Sequence, residues 1–192
     1  MIELLLNELL STFPFHFLAY IPFYKKLKYS PLGTFFRVCV GQILYLLVFT
    51  VLTGLGFSSI WVQYLAIPMF GVMFCLLVQT EVGMIMFLYM FVLDYLMVIR
   101  AAAFCICQKL FGYNFLSWQT GLVTLALILC TIFLMTKALT HIIDGLSSVS
   151  VPKFWKTAWL LPCSVTLILL ILTGDIRKGT VTVSDLFARI LL

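Results

Sequence analysis

Apolar runs of membrane-crossing length follow one another from Leu4 to Leu172, and this pattern constrains the fold more tightly than any motif in the chain. Such runs, separated by short polar turns, predict an all-α polytopic integral membrane bundle. The turns leave little chain for a separate soluble domain, so residues 1–192 read as a single transmembrane helical domain. Seven acids and twelve bases are too few to coat a soluble protein of this length, and a mean hydropathy of +1.17 agrees. At about 20 residues per crossing, the chain holds roughly six spans.

The spans are expected over Leu4–Tyr24, Thr34–Leu55, Ile60–Gln79, Gly83–Gln108, Trp118–Thr140 and Thr157–Thr173. Pro14 predicts a kink in the first, and Pro31 with Gly33 marks the turn before the second. Pro68 falls inside the third, where neighbouring helices can satisfy a freed carbonyl. Trp155 and Trp159 suit an interfacial belt at the entry to the sixth. A short hydrophobic stub, Val181–Leu192, follows and reads as the start of a seventh span or as an interfacial piece. Glu3 and Glu8 stand in place of the positive n-region of a signal peptide, so the first segment is expected to be retained.

Lysine and arginine set the orientation. Lys25, Lys26 and Lys28 follow the first span, Lys137, Lys153 and Lys156 flank the fifth-to-sixth loop, and Arg37 lies just inside the second span. The positive-inside rule makes these cytoplasmic and leaves both the N-terminus, with Glu3 and Glu8, and the tail outside. The net charge of +5 is thus a topology signal, scattered at segment ends, and nucleic acid is not an expected partner.

Catalytic and cofactor chemistry finds little support. The six cysteines all lie in apolar runs without metal-site or disulfide spacing. There is no Gly-x-Ser-x-Gly, no His-Glu-x-x-His and no paired-glutamate motif. His141 and Asp144 sit three apart at a helix end, where a cap or solvated face is the simpler account, and no cysteine stands near His141 to form a membrane cysteine peptidase. No metal, cofactor or catalytic residue is assigned.

Ionisable groups inside a bilayer are the better candidates for function. Asp94 and Arg100 in the fourth span are the clearest, as ligand-binding or signalling residues. Six positions separate them, about 240° around a helix, so each is expected to find its partner on another helix or in a wet cavity. His16, Gln42, Gln63 and Gln79 are read as polar glue between helices.

Phe13-Pro14-Phe15-His16-Phe17-Leu18-Ala19-Tyr20-Ile21-Pro22-Phe23, followed by Lys25-Lys26-Leu27-Lys28-Tyr29-Ser30-Pro31, resembles the opening of the multi-span sensor region of GHKL-type bacterial histidine kinases. Leu93–Arg100 and Phe154–Pro162 resemble later parts of that region. The resemblance implies a membrane-embedded sensing domain related in design to peptide-pheromone receptor kinases, in the bacterial plasma membrane. It implies a homodimer that detects a peptide or small-molecule signal and reaches a response regulator through a cytoplasmic kinase. Neither a phosphoacceptor helix nor an ATP-lid pattern is present, so kinase activity would belong to a longer parent. The alternative is a small-molecule transporter subunit, such as the substrate-binding component of an energy-coupled vitamin transporter. The single dense small-residue cluster, Ala101-Ala102-Ala103, weighs against it.

Overall fold

The computed structural model describes residues 2–112, 117–147 and 152–177. Within them the chain is an all-α membrane bundle of α1 (Ile2–Tyr20), α2 (Pro31–Gly54), α3 (Ser59–Tyr64), α4 (Ala66–Leu77), α5 (Val82–Phe111), α6 (Trp118–Ser147), α7 (Pro152–Ala158) and α8 (Leu160–Arg177). A 3-10 turn, Ile21–Lys26, extends α1. The stub Val181–Leu192 lies outside the described residues.

Among the described residues, four stretches are long and apolar enough to cross a membrane: Ile2–Lys26, Pro31–Gly54, Val82–Phe111 and Trp118–Ile142. They coincide with the expected first, second, fourth and fifth spans. The third and sixth differ: a break ahead of a proline divides the third in two and cuts the first residues from the sixth. Proline removes one helical hydrogen bond and clashes with the carbonyl four residues earlier. Counting back four from Pro68 gives Tyr64, where α3 ends; counting back four from Pro162 gives Ala158, where α7 ends. By contrast, α1 stays helical on both sides of Pro14, with the Ser11 and Thr12 hydroxyls bonded back to the carbonyls of Asn7 and Glu8.

Local chemistry explains the other boundaries. Ser30 caps α2 by accepting from Gly33 N at 3.2 Å, with Pro31 in the first turn, where its missing N–H has no cost. Arg37 folds back toward that end, donating to the Gly33 carbonyl at 2.9 Å with its guanidinium 3.7 Å from the Tyr29 ring centroid. Gly112 ends α5 in the left-handed conformation, φ 68°.

One end of the bundle is tied together by the backbone. Lys28 N donates to the Leu77 carbonyl at 2.9 Å and Gln79 N to the Lys26 carbonyl at 2.8 Å, an antiparallel bridge between the basic first turn and the end of α4. The start of α5 joins the same end and packs on α7. Trp155 is buried there against Phe87, not placed in an exposed aromatic belt, because Gly83 lets the α7 backbone approach. A β-carbon on Gly83 would stand 2.1 Å from the Trp155 carbonyl oxygen.

The core is aromatic. Phe15, Leu18 and Phe23 from the first span meet Phe70 and Phe74 of α4, and Ile85, Leu88 and Tyr89 of α5. The tightest helix pairing is α1 with α6, where Gly121 lies under Asn7. The other face of α2 is exposed through Phe36, Val40, Ile43, Leu47 and Val51, as a lipid-facing surface requires.

Candidate functional site

Glu8 is the centre of the polar interior. On α1 the spacing Glu8, Ser11, Thr12, Phe15, His16 follows i, i+3, i+4, i+7, i+8, which places all five on one face, and all five are buried. Only 1% of Glu8 is exposed, so its carboxylate has exchanged water for protein donors. Arg100 of α5 donates from Nη2 to Oε1 at 3.2 Å and forms an ion pair. Tyr45 of α2 donates its hydroxyl to Oε2 at 3.1 Å, and Gln63 of α3 donates from Nε2 to Oε1. One carboxylate therefore joins four helices. A lone buried charge is strongly unfavourable, whereas a paired and hydrogen-bonded one is tolerated.

One turn further along, Thr12 accepts from Gln42 Nε2 at 2.9 Å, which adds a second link between α1 and α2. His16 stacks on Phe70 with ring centroids 3.4 Å apart. His16 Nε2, Tyr20 Oη and Gln42 Oε1 are buried without a hydrogen-bond partner among the described residues. A cavity of about 70 Å³ opens beside the ion pair, lined by Glu8, Thr12, His16, Gln63 and Arg100 against apolar walls that include Phe15, Tyr89 and Leu93. Tyr64 and Ala66 also line it, so the break between α3 and α4 sits at its edge.

The expected site residues Asp94 and Arg100 are not joined to each other, and each reaches a different helix. Asp94 accepts from Thr166 Oγ1 of α8 at 2.6 Å and is half-buried. Arg100 reaches Glu8 of α1. The two residues thus make α5 the hub of the bundle, with α1 on one side and α8 on another. Gln63 and Gln42 tie helices together as polar glue, whereas Gln79 takes part through its backbone. His141 and Asp144 are exposed at the end of α6.

Glu8, expected with Glu3 at an outside N-terminus, is buried among the helices. The number of acids near the N-terminus hid the spacing of the polar residues behind it, which was the available signal. Among the described residues no group of three or more His, Cys, Asp and Glu is clustered to hold a metal ion. Comparison with protein-family models, curated proteins and solved structures finds no match for the chain.

Proposed function

We propose that this bundle is the membrane-embedded sensing domain of a two-component histidine kinase, acting as a homodimer in the bacterial plasma membrane. A ligand shifts the balance between two packings of the helices, and the last span passes the shift toward a cytoplasmic kinase in a longer parent chain and so to a response regulator. The observation that carries this reading is the Glu8–Arg100 pair, in which one buried carboxylate holds α1, α2, α3 and α5 together. Rearranging that single node changes the packing of four helices at once. The Asp94–Thr166 bond supplies a route onward, since a rotation of α5 that opens the ion pair also moves α8.

The test is the output of the parent kinase. Arg100→Ala is expected to shift autophosphorylation and its response to signal while membrane expression is retained, and Asp94→Asn to alter transmission in the same assay. Unchanged output with unchanged expression in both variants overturns the reading.

A second reading, a solute transporter subunit, draws on the interrupted third span at the edge of the cavity, since broken helices often frame transporter sites. Saturable solute uptake into proteoliposomes, or co-purification with an ATPase, would replace sensing by transport.

A further inference from the structure

Glu8 and Arg100 are unequal partners. The Arg100 side chain keeps 12% of its surface exposed, against 1% for Glu8. A long arginine stem can swing its guanidinium outward while the apolar part of the chain stays packed. Glu8 has a short side chain, is enclosed by the bundle, and is also held by Tyr45 and Gln63. The difference in exposure therefore favours opening by movement of the guanidinium, with the carboxylate staying in place.

The cavity alongside, about 70 Å³, is roomy enough for water or a small polar group. That is the size of a charged head group, and far below the several hundred Å³ of a pocket for a whole cofactor-sized solute. Its wall carries an unused polar atom, because His16 is 4% exposed and its Nε2 has no hydrogen-bond partner among the described residues. Phe15 and Tyr89 add aromatic surface on the same wall. An entering carboxylate would meet Arg100 but would place a second buried anion beside Glu8, with one guanidinium to serve both. An entering cation that takes the place of the Arg100 guanidinium would find a buried carboxylate and aromatic rings, both of which attract positive charge.

We propose that this cavity receives an organic cation, a guanidinium or alkylammonium group that displaces Arg100 from Glu8, with His16 Nε2 accepting a further hydrogen bond. The inference rests on the sensing role given above and names the ligand class for that same site. The exchange removes the polar tie between α5 and α1 while the Asp94–Thr166 bond keeps α5 on α8, so ligand entry shifts α5 and α8 together.

Calorimetric titration of the full chain in lipid nanodiscs tests it, with methylguanidinium and methylammonium as probes and acetate as the control anion. At least one cation is expected to bind saturably and acetate not at all; which cation binds separates a guanidinium ligand from an amine. Arg100→Ala removes the built-in competitor and is expected to tighten cation binding about ten-fold or more. If Arg100→Ala does not assemble, Arg100→Gln takes its place with the same expectation. Glu8→Gln is expected to abolish binding. If Glu8→Gln does not assemble, His16→Phe, which keeps a ring on Phe70 and loses the acceptor, is expected to weaken binding by about three-fold or more.

Three results overturn the proposal: no saturable cation binding to the wild-type chain, acetate binding in place of the cations, or an affinity unchanged when Arg100 is replaced. Absent binding together with altered kinase output in Arg100→Ala removes the ligand class and leaves the sensing role. Binding together with unchanged output leaves the cation site and removes the sensing role.

Discussion

A carboxylate on a membrane-spanning helix persists when its partners cost less to arrange than its solvation costs to lose, and Glu8 meets this condition with three side-chain donors. The two ends of its ion pair should respond differently to mutation. Arg100→Ala leaves Glu8 buried and uncompensated, for a loss of about 3 kcal/mol of bundle stability. Glu8→Gln removes the buried charge and keeps an oxygen for Tyr45, while the longer and partly exposed Arg100 side chain can readjust, for a loss of about 1 kcal/mol, the scale of an ordinary membrane hydrogen bond. Unfolding of both variants in mild detergent checks this order, and the double variant Glu8→Gln/Arg100→Gln should be milder than Arg100→Ala alone. At this scale the sequence was only half legible. Asp94 and Arg100 stood out because each interrupts a long apolar run. Glu8 did not, because it sits near the start of its run among other polar residues, where an aqueous terminus explains an acid equally well. Which partner Arg100 would find was out of reach, since it depends on packing between helices far apart in sequence.

Proline and glycine decide the elements. Pro68 and Pro162 break the third and sixth spans four residues upstream of themselves, a rule that could be applied to the sequence directly. Proline alone did not suffice as a signal, because α1 runs on through Pro14. The glycine contacts were hidden, since closeness between helices depends on which faces meet. They yield a contrast in one kind of substitution. Gly83→Ala would bring a β-carbon to 2.1 Å from the Trp155 carbonyl oxygen and force α7 off α5, for a loss of about 2 kcal/mol. Gly54→Ala, at the end of α2 with nothing within 4 Å, should be neutral or stabilise by about 0.5 kcal/mol. Thermal denaturation followed by helical circular dichroism distinguishes the two.

For the whole molecule, the placement of basic residues in the turns gives the expected direction of the spans, because charge asymmetry acts on the chain as it crosses and needs no knowledge of packing. The bridge between Leu27 and Val78 puts the first turn and the end of α4 at one end of the bundle, where spans that alternate in direction place them. In a background with the six native cysteines replaced, Lys26→Cys and Glu81→Cys should react with an impermeant maleimide from the same side of sealed vesicles, and Ser58→Cys from the opposite side. Packing between distant spans was the part that could not be read, above all α1 against α6. The Glu8–Arg100 link also bears on how the protein is made. Its two residues are 92 positions apart, so α1 leaves the ribosome long before its counter-charge exists. An acidic residue within a span opposes insertion, by roughly 2.5–3.5 kcal/mol at a helix centre on translocon scales and by less toward its end. The first helix is therefore expected to dwell at the insertion machinery, and to commit to the bilayer when the half of α5 that carries Arg100 arrives.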